Sequence, residues 1–348
     1  MSDRADGGKP GPGLRIIHRG PRYIVRFHQA NDDPWAVVSF EYWKPAPTLE
    51  GEFAAEGFFR HRGMNAFGIM AASNDWFQDD EIVQVIAAIN AVAEGWRLIG
   101  YGGSMGGFAA INFFHDLHLA NAVAVSPQFS IDAARAPYEP RWRAEAAAIS
   151  FNHDKIDAIP PVTSGWAIFD PWCVDGRHMA DIQRHHRLTE IHVPLGGHDI
   201  MGILQQADVY TGMVNDMLAE RFDAAAFRRA WRVARRRSAK FWLAVSGTLL
   251  ARGNAAGALR AALRARGLPH PDPAWIDLTE ADARAALGEH AAARALVAGW
   301  AAHPAFGDLA RARLAAWAAP QAPLPPARRP LWRRIAGRIR RALTSPAG

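Results

Sequence analysis

The segment Gly102-Gly103-Ser104-Met105-Gly106-Gly107 holds the most specific arrangement of reactive residue types in the chain, a G-x-S-x-G pentapeptide. A serine hydroxyl is a weak nucleophile until a neighbouring base takes its proton, and it must project clear of the backbone to reach a substrate carbonyl. Glycines two residues to either side allow the serine to sit in a strained turn with its hydroxyl pointing outward. With 30 glycines among 348 residues, such a pentapeptide arises by chance only about 0.08 times in a chain of this length. The competing reading is a glycine-rich phosphate loop. Against it, no lysine follows the glycines as in a Walker motif, and Gly100, Gly102 and Met105 break the dinucleotide G-x-G-x-x-G spacing.

Chemistry at Ser104 needs a strand entering the turn and a helix leaving it, and the flanking sequence supplies both. Arg97-Leu98-Ile99-Gly100-Tyr101 reads as a strand and Met105 to Leu119 as a helix. Further short apolar or β-rich runs occur at residues 23–27, 35–40, 65–70, 122–125, 166–169 and 191–195. Between the third of these and the Ser104 strand, Asp79-Asp80-Glu81 opens a helix with Ile82, Val85, Ile86, Ile89 and Val92 on one face, and Gly95 stops it. Strands separated by helical stretches predict an α/β architecture with a doubly wound, mostly parallel sheet. Residues 129–160 lack this rhythm.

On the strength of Gly102–Gly106 and this alternation, residues 23 to about 215 resemble the α/β-hydrolase superfamily of serine hydrolases. The resemblance implies a nucleophile, an acid and a histidine in that chain order, each on a loop at the C-terminal end of a strand. His198, in Leu195-Gly196-Gly197-His198-Asp199, then becomes the general base for Ser104. Asp175 and Asp170 both follow the 166–169 strand and both are candidates for the acid. Asp175 is preferred because a helical stretch follows it, as is usual for the acid of the superfamily. The resemblance further implies two backbone N–H donors for the oxyanion: that of Met105, and that of Glu41 or Tyr42 after the 35–40 strand. Here the superfamily commonly carries His-Gly, and this chain departs from it with Ser39-Phe40-Glu41-Tyr42-Trp43.

Residues 129–160 occupy the place of a cap over the site. Trp142 within it, Gln128 before it and Trp76 one strand earlier are expected to contact substrate. The arginines and aromatics there suit an ester of a polar, carbohydrate-bearing molecule as well as they suit a structural cap. A serine esterase, an acyltransferase on the same three residues, and a catalytically weak hydrolase-fold interaction protein all follow from these residues. No metal or organic cofactor is required by any of them.

Composition limits the rest. The 49% hydrophobic and 21% charged content belongs to a globular chain, and the single Cys173 excludes a disulfide framework. The net charge of +6 is localised. Residues 321–348 carry seven arginines and no acid, which leaves residues 1–320 with 33 basic and 34 acidic groups and argues against a nucleic-acid partner. The expected domains are a flexible tail over 1–20, a hydrolase domain over 21–222, an all-α domain over 223–320, and a Pro-rich linker with a basic tail over 321–348. The all-α region resembles tetratricopeptide repeats: Gly253 and Gly288, like Ala258 and Ala293, are 35 residues apart, and His270-Pro271 recurs as His303-Pro304. In the tail, Leu331, Trp332, Ile335, Ile339 and Leu343 share one helical face opposite the arginines. That pattern suits an anionic membrane surface or a protein partner. No signal segment is evident, so a cytoplasmic protein, held peripherally at a membrane, is expected.

Overall fold

The computed structural model describes residues 13–269 and 272–318. Eight strands form one sheet: β1 (Gly13–Arg19), β2 (Tyr23–Gln29), β3 (Trp35–Phe40), β4 (Ala66–Ala71), β5 (Arg97–Gly103), β6 (Leu119–Val125), β7 (Trp166–Phe169) and β8 (Thr189–His192). Their order is β1-β2-β4-β3-β5-β6-β7-β8. β1 and β2 pair antiparallel, as do β2 and β4, while every pairing from β4 through β8 is parallel. The continuous apolar runs mark the central strands because both faces are covered: β4 is buried throughout, and β3 and β5 are buried after their first residues.

Eight helices accompany the sheet: α1 (Glu56–His61), α2 (Ile82–Val92), α3 (Met105–Asn112), α4 (Arg143–Ala148), α5 (Val174–His185), α6 (Ile200–Gln206), α7 (Tyr210–Leu218) and α8 (Ala224–Ala234). The acidic opening of α2 takes the form of a turn in which the Asp79 carboxylate accepts the Glu81 N–H at 3.0 Å, and Gly95 adopts φ +76° beyond its end. Strand order reverses about β3, which connects onward to β4 on one side while β5 lies on the other. In open parallel sheets such a switch point opens a crevice at the strands' C-terminal ends, and Ser104 sits there, directly after β5.

Three sequence expectations change, two of them along the sheet. Residues 13–19, grouped with the N-terminal tail, form edge strand β1; Leu14 and Ile16 remain about half exposed, so no continuous apolar run announces them. The remaining tail residues, 1–12, lie outside the described residues. The helix after Ser104 stops at Asn112 rather than Leu119: Phe113 leaves helical geometry, residues 113–118 run as turns, and His118 at φ +50° leads the chain into β6. Phe113, Phe114 and Leu117 are buried beyond that end, which is why helical apolar spacing persists in the sequence.

The chain divides into two compact units, Met1–Phe241 and Trp242–Gly348, so residues 223–241 belong with the sheet rather than with the all-α region. The remaining helices are α9 (Ala239–Ala251), α10 (Ala255–Arg266), α11 (Pro273–Ala285), α12 (His290–Ala298) and α13 (Gly307–Ala318). Within the second unit α10 packs on α11, α11 on α12, and α12 on α13. Gly253 after α9 and Gly288 after α11 both have positive φ, and Ala258 and Ala293 are both fully buried in the helices that follow. His270-Pro271 and the apolar and basic faces of residues 321–348 lie outside the described residues. Among the described residues no helix is long and apolar enough to cross a membrane.

Candidate active site

Ser104 has φ +54° and ψ −117°, a conformation that costs a non-glycine residue about 1–3 kcal/mol. Its surroundings hold it there: the Ser104 N–H donates to the Val125 carbonyl at 2.8 Å, and its carbonyl accepts the Phe108 N–H in the first turn of α3. The flanking glycines are required by space. A Cβ on Gly102 would lie 2.3 Å from the Gly106 carbonyl group, and one on Gly106 would lie 2.7 Å from the Phe40 oxygen. Both are backbone contacts that no side-chain rotation relieves.

His198 stands on the loop between β8 and α6, in which Leu195 and Gly197 both take positive φ. Its Nε2 is 2.8 Å from Ser104 Oγ and its Nδ1 is 2.8 Å from Asp175 Oδ2. An ionised carboxylate only accepts, so Nδ1 carries the proton and Nε2 is left to accept the Ser104 hydroxyl. Asp175, in the first turn of α5, is fully buried. Burial pushes its pKa up, but the hydrogen bond and charge of His198, together with Arg141, outweigh this and hold the carboxyl below its ordinary range. Of the two candidate acids, Asp175 is the one against His198. Asp170 accepts the N–H groups of Trp172 at 3.0 Å and Gly197 at 2.9 Å, fixing the loop that carries His198. Asp199 points elsewhere, accepting the Gly202 N–H and pairing with Lys240.

Met105 begins α3, so its N–H is among the first-turn donors that lack a helical partner. Glu41 and Tyr42 follow β3, and the Phe40 and Glu41 carbonyls face the α-carbon of Gly106. The Glu41 carboxylate is buried, binds Lys44 Nζ at 2.7 Å, and is raised in pKa by burial against the opposing pull of Lys44 and the Tyr42 N–H.

Gln128 and Trp76 lie beneath the site rather than at its mouth. Both are essentially inaccessible. Gln128 Nε2 donates to Ser104 Oγ at 3.1 Å, and Trp76 Nε1 donates to Gln128 Oε1 at 3.1 Å, which fixes which end of the amide faces the serine. Trp142 is half-buried on the cap, its ring centroid 5.9 Å from that of His198 and 5.5 Å from that of Trp43.

Four further residues at the site were not singled out as site residues from the sequence. Ser126 Oγ donates to the His198 carbonyl at 3.0 Å. Arg141 Nη2 donates to Asp175 Oδ1 at 2.7 Å, Arg141 also grips Glu139, and Glu139 receives a hydrogen bond from the buried His178. The sequence signal for them is faint, since all lie in segments without strand or helix periodicity or on a helix already assigned to packing. Cys173 offers no rival nucleophile: burial, then the Asp175 charge, pushes its thiol up to about 11. Beside Ser104 a cavity of about 390 Å³ is lined by Phe40, Tyr42, Tyr101, Gly103, Met201 and Tyr210, among others. Its two deeper phenols bind each other, Tyr101 Oη to Tyr210 Oη, at 2.6 Å.

No protein-family model matches the chain, and no curated protein matches it. Among solved structures, a capsule O-acetyltransferase of Neisseria meningitidis serogroup A shares 12% identity with it at a TM-score of 0.40, over 65% of this chain and 97% of that one. An esterase of Pyrococcus furiosus shares 14% at 0.41, over 62% and 95% respectively. A fluorophosphonate-binding serine hydrolase of Staphylococcus aureus shares 13% at 0.37, over 65% and 99%. From its own strand order, with Ser104, Asp175 and His198 following β5, β7 and β8, the first unit of this chain is an α/β-hydrolase fold.

Proposed function

We propose that the protein is a serine hydrolase of the esterase type. The observation that carries this is the meeting of Ser104, His198 and Asp175, from three separate strand ends, at 2.8 Å and 2.8 Å. His198 Nε2 takes the Ser104 proton as Oγ bonds to the ester carbonyl carbon, and Asp175 stabilises the imidazolium without itself taking the proton. The Met105 N–H and a donor from the loop after β3 receive the oxyanion. As the tetrahedral intermediate collapses, His198 passes the proton to the departing alcohol oxygen. Water, deprotonated by the same imidazole, then adds to the acyl carbon, and the imidazolium returns that proton to Ser104 Oγ as the Oγ–acyl bond breaks and the carboxylic acid leaves.

The cavity between Gly103 and Tyr210 is placed for the acyl group: Phe40, Tyr101, Met201 and Tyr210 offer it apolar contact, while Asp199, Gln205 and Lys240 make the rest of the lining polar. The leaving alcohol must lie next to His198, and there Trp142 and Trp43 offer flat aromatic faces to a polar, carbohydrate-bearing alcohol. The Trp43 N–H is itself held by Glu145 at 2.7 Å. An acyltransferase would use the same acyl-enzyme with a sugar or other alcohol in place of water. In the second unit, the matched Gly253/Gly288 and Ala258/Ala293 positions support a tetratricopeptide-like helical array, and the seven tail arginines support docking at an anionic membrane or a protein partner.

Hydrolysis of p-nitrophenyl esters of increasing acyl length, with and without added glycerol or glucose, tests the reading. We expect turnover that falls by at least about 10³-fold in Ser104→Ala. Acylated alcohol as the main product would select the transferase, and a folded wild-type protein with no turnover would support an interaction protein instead.

A further inference from the structure

The hydrogen bonds around Ser104 close into a ring. From Ser104 Oγ it passes through His198 to Asp175 Oδ2, and Asp175 Oδ1 accepts Arg141 Nη2 at 2.7 Å. Arg141 Nε donates to Glu139 Oε1 at 2.9 Å, and Glu139 Oε2 accepts from His178 Nε2 at 2.9 Å. His178 Nδ1 in turn accepts the Phe129 N–H at 3.2 Å. Phe129 follows Gln128, whose Nε2 returns to Ser104 Oγ at 3.1 Å.

The tautomer of His178 follows from these contacts. Nδ1 accepts from a backbone amide, so Nε2 carries the proton and His178 meets Glu139 as a neutral donor. The buried cluster therefore holds two carboxylates, Glu139 and Asp175, and one guanidinium between them. Two buried carboxylates without that cation would compete to hold a proton, and a protonated Asp175 cannot stabilise an imidazolium at His198. Arg141 is also the group that pins the second oxygen of Asp175, and with it the plane in which Oδ2 faces His198 Nδ1.

Phe129, Glu139 and Arg141 lie between β6 and β7 in the segment that forms the cap, with Gln128 just before it, whereas Ser104, Asp175, His178 and His198 belong to the sheet body, its helices and its strand-end loops. We propose that Arg141 is a positioning residue, carried by the cap, that acts on Ser104 through Asp175, so that the serine, histidine and aspartate are aligned only while the Glu139–Arg141 segment is seated. The inference rests on the reading of Ser104, His198 and Asp175 as the catalytic centre. It makes the cap part of the reaction's machinery as well as part of the substrate's container.

The test compares wild-type, Arg141→Met and Glu139→Gln/Arg141→Met proteins in full-length form, by fluorophosphonate labelling rate and ester kinetics across pH. The groups facing Asp175 are His198 from the β8–α6 loop, Arg141 from the cap and the Cys173 thiol beside it. We expect Arg141→Met to lower kcat by about 10²-fold with KM within twofold, as for a misaligned catalytic group, and to move the acid limb of the profile to higher pH. The double variant is expected to return the acid limb toward wild type, because only one carboxylate remains, while kcat stays low. A purely structural arginine would cost stability but leave kcat of the folded variant unchanged, and the limb shift reports the loss of its charge beside Asp175. Should Arg141→Met lose its fold, Arg141→Gln, which can still donate to Asp175, takes its place with the same expected shift. A folded variant with wild-type kcat and profile overturns the proposal while leaving the hydrolase reading intact, whereas a folded wild-type protein that is neither labelled nor active overturns both.

Discussion

Asp170 Oδ2 accepts the Gly197 N–H at 2.9 Å, so the residue directly after β7 holds the loop that presents His198. The two aspartates after β7 thus divide the work: Asp170 shapes the loop and Asp175 meets the imidazole. We expect Asp175→Asn to reduce the fluorophosphonate labelling rate by about 10⁴-fold, since an amide cannot hold the productive tautomer. Asp170→Asn can keep only part of its amide contacts; unfolding in guanidinium should show a loss of about 1–3 kcal/mol, with labelling retained within about tenfold. The reverse pattern would exchange the two assignments.

The elbow permits a sharper test of geometry. A methyl group on Gly102 meets backbone at 2.3 Å, so Gly102→Ala must displace either α3 or β5. We expect a destabilisation of about 1–3 kcal/mol and loss of labelling even where circular dichroism shows a folded protein. Labelling at the wild-type rate would mean that Ser104 does not depend on this turn.

Gln128 is placed to hold the ground-state serine, with Trp76 selecting its orientation. Gln128→Met removes the hydrogen bond that positions Ser104, a neutral one of roughly 0.5–1.5 kcal/mol, and also the bond Gln128 accepts from Trp76. A fall in kcat/KM of about 3–10-fold is expected from the first, measured on a p-nitrophenyl ester, with a loss of stability from the second. Trp76→Phe should give a smaller fall in the same direction, because it frees the amide without removing it. An effect of Trp76→Phe with none for Gln128→Met would contradict the chain of contacts.

Acid titration reads the cap network separately. Burial alone would raise the Glu139 carboxyl, but His178 and Arg141 bring it down to about 2. A depressed carboxylate contributes stability that is complete above its unfolded-state pKa and drains away as pH falls toward the folded value. Stability measured by urea unfolding should therefore decline between about pH 4.5 and 2, and Glu139→Gln should decline less steeply over that window. Parallel slopes for the two proteins would show that Glu139 is not ionised in the folded cap.

Much of this site is visible in the sequence because its parts depend on backbone geometry. Gly102, Ser104 and Gly106 announce themselves, since only glycine fits where backbone lies under 3 Å away, and Gly197 marks the turn before His198. The parallel central strands are equally legible, buried on both faces and so written as continuous apolar runs. What the sequence conceals is contact between segments of irregular chain. Arg141 and Glu139 lie in a stretch with no period, and nothing local says that one guanidinium bridges to an aspartate 34 residues onward. Edge strand β1 is hidden for a related reason, since a half-exposed strand does not need an apolar run.

The central claim is that Ser104 is an activated nucleophile, and intact-mass spectrometry after incubation with a fluorophosphonate, followed by peptide mapping, tests it most directly. We expect a single adduct on Ser104, absent in Ser104→Ala and formed far more slowly in His198→Ala. An unlabelled but folded wild-type protein, or an adduct on any other residue, would contradict it.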